Sequence, residues 1–356
     1  MTTQQMDFFS SLLKNMGTSI VKKVLVRASN WIGDAVMSLP ALDALKELYP
    51  SAEIYVLAKT RAIPVFENNP SVAGIIEYGK EHGGFTGRLK LSGELRKHGF
   101  DLAVLFQNAF DAALISFLSR IPERAGYARD LRSGLLTNAV PVTEDIKKKH
   151  QVYYYLNIVE RLGGSLPSRI IPRLHISPDE ARWARGFIKE KGLEGMPLFG
   201  AAPGASYGPA KRWPPERFAE VLTSLKNEHS GAALVFGGPE DKEACAAVAS
   251  LVPGAIDLSG RLTLRQSISL ASCFKAIVTN DSGPMHIAAA LGVPTIAIFG
   301  STEDSLTGPV GERVVVVRKK IECSPCFDRE CRFGHYRCLN LIEAKEVIEA
   351  ARGLAA

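Results

Sequence analysis

No stretch of the 356-residue chain approaches the roughly 20 consecutive apolar residues that cross a bilayer. The first residues also lack the basic segment, apolar core and small-residue cleavage site of a secretory signal, so neither insertion nor export is expected. The first predicted strand is followed by no Gly-x-Gly-x-x-Gly, and no Gly-Lys-Ser/Thr phosphate loop occurs. Both absences argue against ordinary NAD enzymes and P-loop ATPases. Aromatics are scarce at 8% and do not interleave with basic residues along a nucleic-acid-binding motif. One-sided charge is modest, with 43 Lys and Arg against 37 Asp and Glu, a net of +6. That excess suits an anionic partner such as nucleic acid, phospholipid or a phosphorylated glycan without requiring one. Cysteine is limited to six residues, of which Cys245 and Cys273 fall in helical segments and read as buried small hydrophobes.

What remains is ordinary globular composition, 46% hydrophobic and 22% charged, in a chain long enough for two domains. From Val21 onward strands and helices alternate. Val24–Val26, Ile54–Leu57, Gly74–Ile76 and Leu102–Phe106 read as strands, with helices over Val36–Leu48, Pro64–Asn68 and Arg88–Lys97. Pro40 is awkward inside a helix starting at Asp34. The spacing predicts that Ser38 caps the regular part and leaves Asp34 in an exposed loop or loose first turn. A basic run, Lys147 to His150, leads into an aromatic helix over Val152–Leu162. The prolines at 167, 172 and 178 mark the approach to a second domain.

There the alternation restarts. Strands are expected at Leu198–Phe199, Ala232–Phe236, Ala276–Thr279 and Thr295–Phe299, and helices at Pro215–Glu228, Asp241–Ser250, Leu264–Ala271 and Met285–Leu291. A last helix over Ile342–Ala351 closes the chain. The fold class is therefore α/β, two Rossmann-like parallel-sheet domains facing across a cleft. The expected divisions are an N-terminal extension 1–20, a first domain 21–175, a second 176–340 and a C-terminal helix 341–356. In the extension, Phe8, Phe9, Leu12 and Leu13 suggest either a short amphipathic membrane-touching helix or a frayed terminus.

Four loops carry candidate chemistry. Asp34, beside Gly33 and after the first strand, is a carboxylate at the mouth of a helix, suited either to capping or to taking a proton from a hydroxyl. Ala202-Pro203-Gly204-Ala205-Ser206 through Lys211-Arg212-Trp213 combines small residues, a hydroxyl and a cation, a set that suits a diphosphate. Phe236-Gly237-Gly238-Pro239-Glu240-Asp241 offers carboxylates for ribose hydroxyls or for a helix start. Asn280-Asp281-Ser282-Gly283-Pro284-Met285-His286 lies between a strand and a helix, where amides and dipole favour phosphate. Cys323, Cys326, Cys331 and Cys338, with His335 nearby, suggest a structural zinc site. The lack of a second Cys-x-x-Cys leaves a reduced, metal-free loop as the alternative.

From about Val24 to Ala351 these loops resemble the glycosyltransferase family that contains the lipopolysaccharide heptosyltransferases. Asn30 to Val36 with Leu39-Pro40-Ala41-Leu42, Pro203 to Trp213 and Asn280 to His286 carry the resemblance. It implies a GT-B fold with the acceptor on the N-terminal half and ADP-heptose on the C-terminal half. It implies transfer of heptose, with inversion, to the first heptose of the lipopolysaccharide inner core. Asp34 would be the base. Ser206 and Lys211 would hold the diphosphate, Glu240 or a near neighbour the ribose, and Asp281, Ser282, Gly283 and His286 the sugar-phosphate end. The backbone near Leu262 would line the adenine slot. Arg61, Arg124, Arg132, Lys147, Lys148 and Lys149, chosen by charge and position, are the candidate acceptor contacts. No cofactor or catalytic metal is expected, and similar cysteines occur in the family without implying one. The partner would be the anionic lipopolysaccharide precursor, met at the inner membrane surface from the cytoplasm. The alternatives are a Kdo acceptor, a non-hydrolysing sugar-nucleotide epimerase and a basic nucleic-acid-binding module.

Overall fold

The computed structural model describes residues 21–167 and 169–355. The expectation for Phe8 to Leu13 lies outside them. The first half builds one sheet from β1 (Lys23–Arg27), β2 (Glu53–Ala58), β3 (Gly74–Glu77), β4 (Leu102–Leu105), β5 (Glu123–Tyr127) and β6 (Asn138–Val140). Its spatial order is β3-β2-β1-β4-β5-β6, and every pair is parallel. The second half repeats the plan with β7 (Leu198–Ala202), β8 (Ala232–Val235), β9 (Ile256–Asp257), β10 (Phe274–Asn280), β11 (Thr295–Phe299) and β12 (Val314–Arg318). Its order is β12-β11-β10-β7-β8-β9, again all parallel. In each sheet the strand order reverses beside the first strand, between β1 and β4 and between β7 and β10. Ligands of open α/β sheets collect outside the carboxyl ends of strands at such a reversal.

The central strands are apolar on both faces because helices cover both. Leu102–Leu105, Leu198–Ala202 and Thr295–Phe299 are buried throughout, as parallel sheets require. Several elements escape the periodicity reading, among them β5, β6, β12 and the helices Phe110–Leu118 and Pro178–Glu190. The last has a local signal that the prolines mask. Pro178 is its first residue, and Ser177 and Glu180 form a capping box with mutual bonds of 3.2 and 2.8 Å. Of the two expectations for Asp34, the first turn holds and the exposed loop does not. Helix Ile32–Met37 holds Asp34 in its first turn, and a second helix, Leu39–Leu48, restarts after Ser38. Pro40 fits because it stands in the opening turn of that second helix. Ser38 stands at the N-cap position as expected, but its side chain makes no capping bond and its hydroxyl donates back to the Ala35 carbonyl at 2.8 Å.

The closing helix, Ala344–Ala355, packs into the second half, where Ala344, Val347 and Ala351 join the core with Trp213 and Val278. The two halves meet along helix Ile32–Met37 and helix Gly283–Ala290, and Ile268, Ile287 and Ala290 belong to the core of the first half. A polar junction sits beside this apolar seam. Arg265, from the second half, donates to the Pro64 carbonyl of the first at 2.9 Å and to Glu180 at 2.6 and 2.7 Å. Asn68 donates to the same Glu180 at 2.9 Å.

Candidate active site

Asp34 stands at the carboxyl end of β1 because the strand runs directly into the turn that starts its helix. It is half-buried, and Oδ1 accepts a bond of 3.3 Å from the Tyr155 hydroxyl. Burial raises its pKa above the usual carboxylate range, while the Tyr155 bond and the positive charge of Lys211 pull it down. Lys211 comes from the loop after β7. Its ammonium lies 2.5 Å from Asp281 Oδ2, with both side chains largely out of solvent. Thr302 donates a second bond to the same oxygen. Loops from both halves therefore converge on one charged constellation, a carboxylate facing a buried lysine–aspartate pair.

Two small residues permit that convergence. A Cβ at Gly33 would lie 2.8 Å from His286 Cδ2, so the helix carrying Asp34 can approach the second half only with glycine there. A Cβ at Gly204 would lie 2.1 Å from the Asp241 carboxyl, so this loop too closes on its neighbour because it lacks a side chain. The backbone beyond is held by Asn280, whose amide donates to the Pro203 carbonyl at 2.7 Å and accepts from Trp213 N–H at 3.1 Å. Trp213 is fully buried and anchors Lys211 two residues earlier.

The model of glycosyltransferase family 9 (heptosyltransferase) matches residues 88–337. The chain belongs to that family. This glycosyltransferase is 32% identical over 345 residues to lipopolysaccharide heptosyltransferase 2 of Salmonella typhimurium, covering 93% of this chain and 98% of that one. It is similar in structure to the Escherichia coli ADP-heptose LPS heptosyltransferase II, with a TM-score of 0.79 at 30% identity, covering 94% of this chain and 98% of the other. A family 9 glycosyltransferase from Veillonella parvula superposes with a TM-score of 0.85 at 25% identity, over 94% of this chain and 97% of the other. The architecture common to these relatives is the GT-B fold, here with its two six-stranded sheets.

The remaining candidate residues of the glycosyltransferase fall into different environments. Ser206, in the loop after β7, and Glu240, in the short 3-10 helix Pro239–Asp241, are exposed, whereas Ser282, Gly283 and Leu262 are half-buried. Beside Glu240, Asp241 accepts from Gly238 N–H at 3.0 Å and leaves its other oxygen buried without a partner. His286 is buried, and burial together with the charges of His150 and Lys211 pushes its pKa down to about 3. It is uncharged near neutrality and supplies no positive charge to a phosphate. Arg61 is exposed, stacked 4.3 Å over the Trp31 ring and bonded to the Asn30 carbonyl at 2.9 Å. The exposed Lys147, Lys148 and Lys149 follow β6.

Two of the arginines belong elsewhere. Arg124 lies at the amino end of β5, away from the cleft, bonded to the carbonyls of Ile121, Pro122 and Leu135. Arg132 is fully buried and donates to Tyr127, Gln107 and Asn108, an internal brace rather than a surface contact. Charge and position in the first half selected both, and neither distinguishes a solvated arginine from one that satisfies carbonyls.

Cys245 is buried and its thiol is pushed up to about 12 by desolvation, but Cys273 is exposed just past the end of its helix. Cys323, Cys326, Cys331 and Cys338 line one small cavity with Ala210 and Ser301. Among the described residues, however, no three His, Cys, Asp or Glu side chains are placed to hold a metal ion. The loop instead props the site from behind. Arg329 O accepts from Ala210 N–H at 3.0 Å, and Ser301 O accepts from Cys326 N–H at 3.0 Å. Sequence reading missed Tyr155 and Thr302. Both are distant in sequence from the acids they serve, and no local pattern marks them.

Proposed function

We propose that the chain transfers heptose from ADP-heptose to the first heptose of the lipopolysaccharide inner core. The observation that carries this reading is the placement of Asp34, a carboxylate of raised pKa, opposite the Lys211–Asp281 pair across the junction of the two halves. The similarity to heptosyltransferases of type 2 supports the choice of acceptor. In this reading Asp34 takes the proton from the acceptor hydroxyl as that oxygen bonds to the anomeric carbon. The bond from that carbon to the phosphate oxygen breaks on the opposite face, and ADP leaves with the electron pair. The configuration inverts.

Lys211, with the amides around Ser206 and the helix start at Gly283, meets the charge that develops on the diphosphate. Glu240 and its neighbour Asp241 are assigned to the ribose, and the backbone at Leu262 to the adenine edge. Asp281 holds the Lys211 ammonium in place, with Ser282 beside it. The acceptor side is assigned to Arg61 and to Lys147, Lys148 and Lys149, at the inner membrane surface. No helix among the described residues is long and apolar enough to cross a membrane.

The test is ADP release from ADP-heptose, with and without a Kdo-lipid A acceptor carrying one heptose, for the wild type and Asp34→Ala. Acceptor-dependent release that collapses in the variant, with ADP-heptose still bound, is the expected result. Release with an acceptor that lacks heptose would move the assignment to Kdo. Donor consumption with no acceptor at all would overturn the transferase assignment for this site.

A further inference from the structure

His150 stands at the N-cap of the aromatic helix, Gln151–Arg161. Its Nδ1 accepts from the Val152 N–H at 3.2 Å, one of the helix-start amides that no backbone carbonyl reaches. Its Nε2 lies 2.9 Å from the Gly308 carbonyl of the second half. A backbone amide only donates and a carbonyl only accepts. The two contacts together therefore require a bare Nδ1 and a proton on Nε2, a neutral ring in one tautomer. Half-burial favours that neutral form by lowering the His150 pKa, against the opposing pull of the Gly308 bond.

Each end of this bond leads to a group that the transfer uses. Farther along the same helix, Tyr155 donates to Asp34 at 3.3 Å. On the other side, Gly308 closes the short helix Asp304–Thr307, its N–H donating to the Asp304 carbonyl at 2.7 Å. Arg318 braces the front of that helix through Glu303 at 2.7 Å and through Asp304. Thr302, just before Glu303, donates to Asp281, the partner of Lys211. Val310, two residues past Gly308, packs against the core of the first half. Bonded neighbours thus run from the base to the lysine–aspartate pair by way of His150 and Gly308. The Arg265 junction also joins the halves, but its bonds go to Pro64, His175 and Glu180 and reach neither group.

We propose that His150 is a positioning residue for the transfer, its Nε2–H latching the helix of Tyr155 onto the loop of Thr302 so that Asp34 and the Lys211–Asp281 pair keep one separation. The proposal rests on the transferase reading for the reaction it serves, and the latch itself is tested apart from that reading. A displacement of about 1 Å between reacting groups costs about 10²-fold in rate, so one bond across the seam is enough to matter.

Two substitutions separate the two ends of the ring. His150→Asn keeps an acceptor for the helix start but is too short to reach Gly308. His150→Gln places an amide donor near the position of Nε2 and gives up the cap. With both substrates saturating, His150→Asn should lower kcat by about 10- to 100-fold. Its two KM values should stay within about threefold of wild type, with the melting temperature little changed. His150→Gln should recover most of kcat although its melting temperature falls. A residue that only caps the helix would give the reverse order, and that result would overturn the latch. Equal kcat in the wild type and His150→Asn would overturn it as well. A second readout needs no turnover, the nitrogen resonances of ring-labelled histidine in the ADP-bound protein. The signal that disappears in His150→Gln should come from a protonated Nε2 whose proton exchanges slowly; a bare Nε2 there would sink the latch. A wild type that binds ADP-heptose but turns over no acceptor defeats the transferase reading, while the nitrogen spectrum still decides the latch.

Discussion

At the scale of single residues, the behaviour of Asp34 follows from its surroundings. A base must be ionised to act, so activity should rise with pH through its raised pKa. The Tyr155 bond lowers that pKa. Tyr155→Phe should therefore move the acid limb of the kcat profile to higher pH, and an unmoved limb would show that Tyr155 does not tune the base. Asp34→Asn should lower kcat by about 10²- to 10⁴-fold, the usual worth of a positioned base. The same substitution should raise the melting temperature at neutral pH. The folded pKa lies above the unfolded one, so the protonated form is favoured by folding and its contribution is lost as pH rises through the folded pKa. A neutral amide avoids that loss, and the gain should shrink in acid.

At the scale of elements, the loop bearing Lys211 and the helix bearing Asp34 depend on neighbours distant in sequence. Lys211→Ala leaves Asp281 buried without its cation, a change that costs about 3–5 kcal/mol. Lys211→Met with Asp281→Asn should recover most of that stability in a denaturant titration but not donor affinity. Recovery of both would remove Lys211 from the diphosphate. Gly33→Ala places a methyl 2.8 Å from the His286 ring and so pushes two packed helices apart. The expected cost is about 1–3 kcal/mol by overpacking, with kcat reduced although no reacting group is altered. The regular helices were largely legible in the sequence, since Pro215–Glu228 and Leu264–Ala271 coincide with their apolar periodicity. β12 is an apolar run that the strand–helix alternation does not pick out, and Pro178, which marks the approach to the second domain, opens a capped helix. A proline signal does not say whether a helix ends there or begins there.

For the whole molecule, the two halves are joined by an apolar seam and by the Arg265–Glu180–Asn68–Pro64 junction. Arg265→Ala removes the bond from the second half to Pro64 and the ion pair that holds Glu180 in place for Asn68. The expected outcome is a larger radius of gyration in small-angle scattering without ligand, with KM raised for donor and acceptor together. A change confined to one substrate would mean that Arg265 acts locally and not on the angle between halves. Because Asp34 and Lys211 come from opposite sides of the seam, small rotations about it change the distance between them.

The sequence by itself determined the α/β class, two halves, the family resemblance and the four loops that carry the candidate chemistry. These are local properties, written in strand and helix periodicity and in the small and acidic residues that end the strands. Only the tertiary structure decided what each charged residue faces. It paired Lys211 with Asp281, kept His286 neutral, turned Arg124 and Arg132 toward backbone carbonyls and set His150 against the Gly308 carbonyl. The physical reason is that a charge takes its character from solvent access and from partners tens of residues away, neither of which a local pattern records.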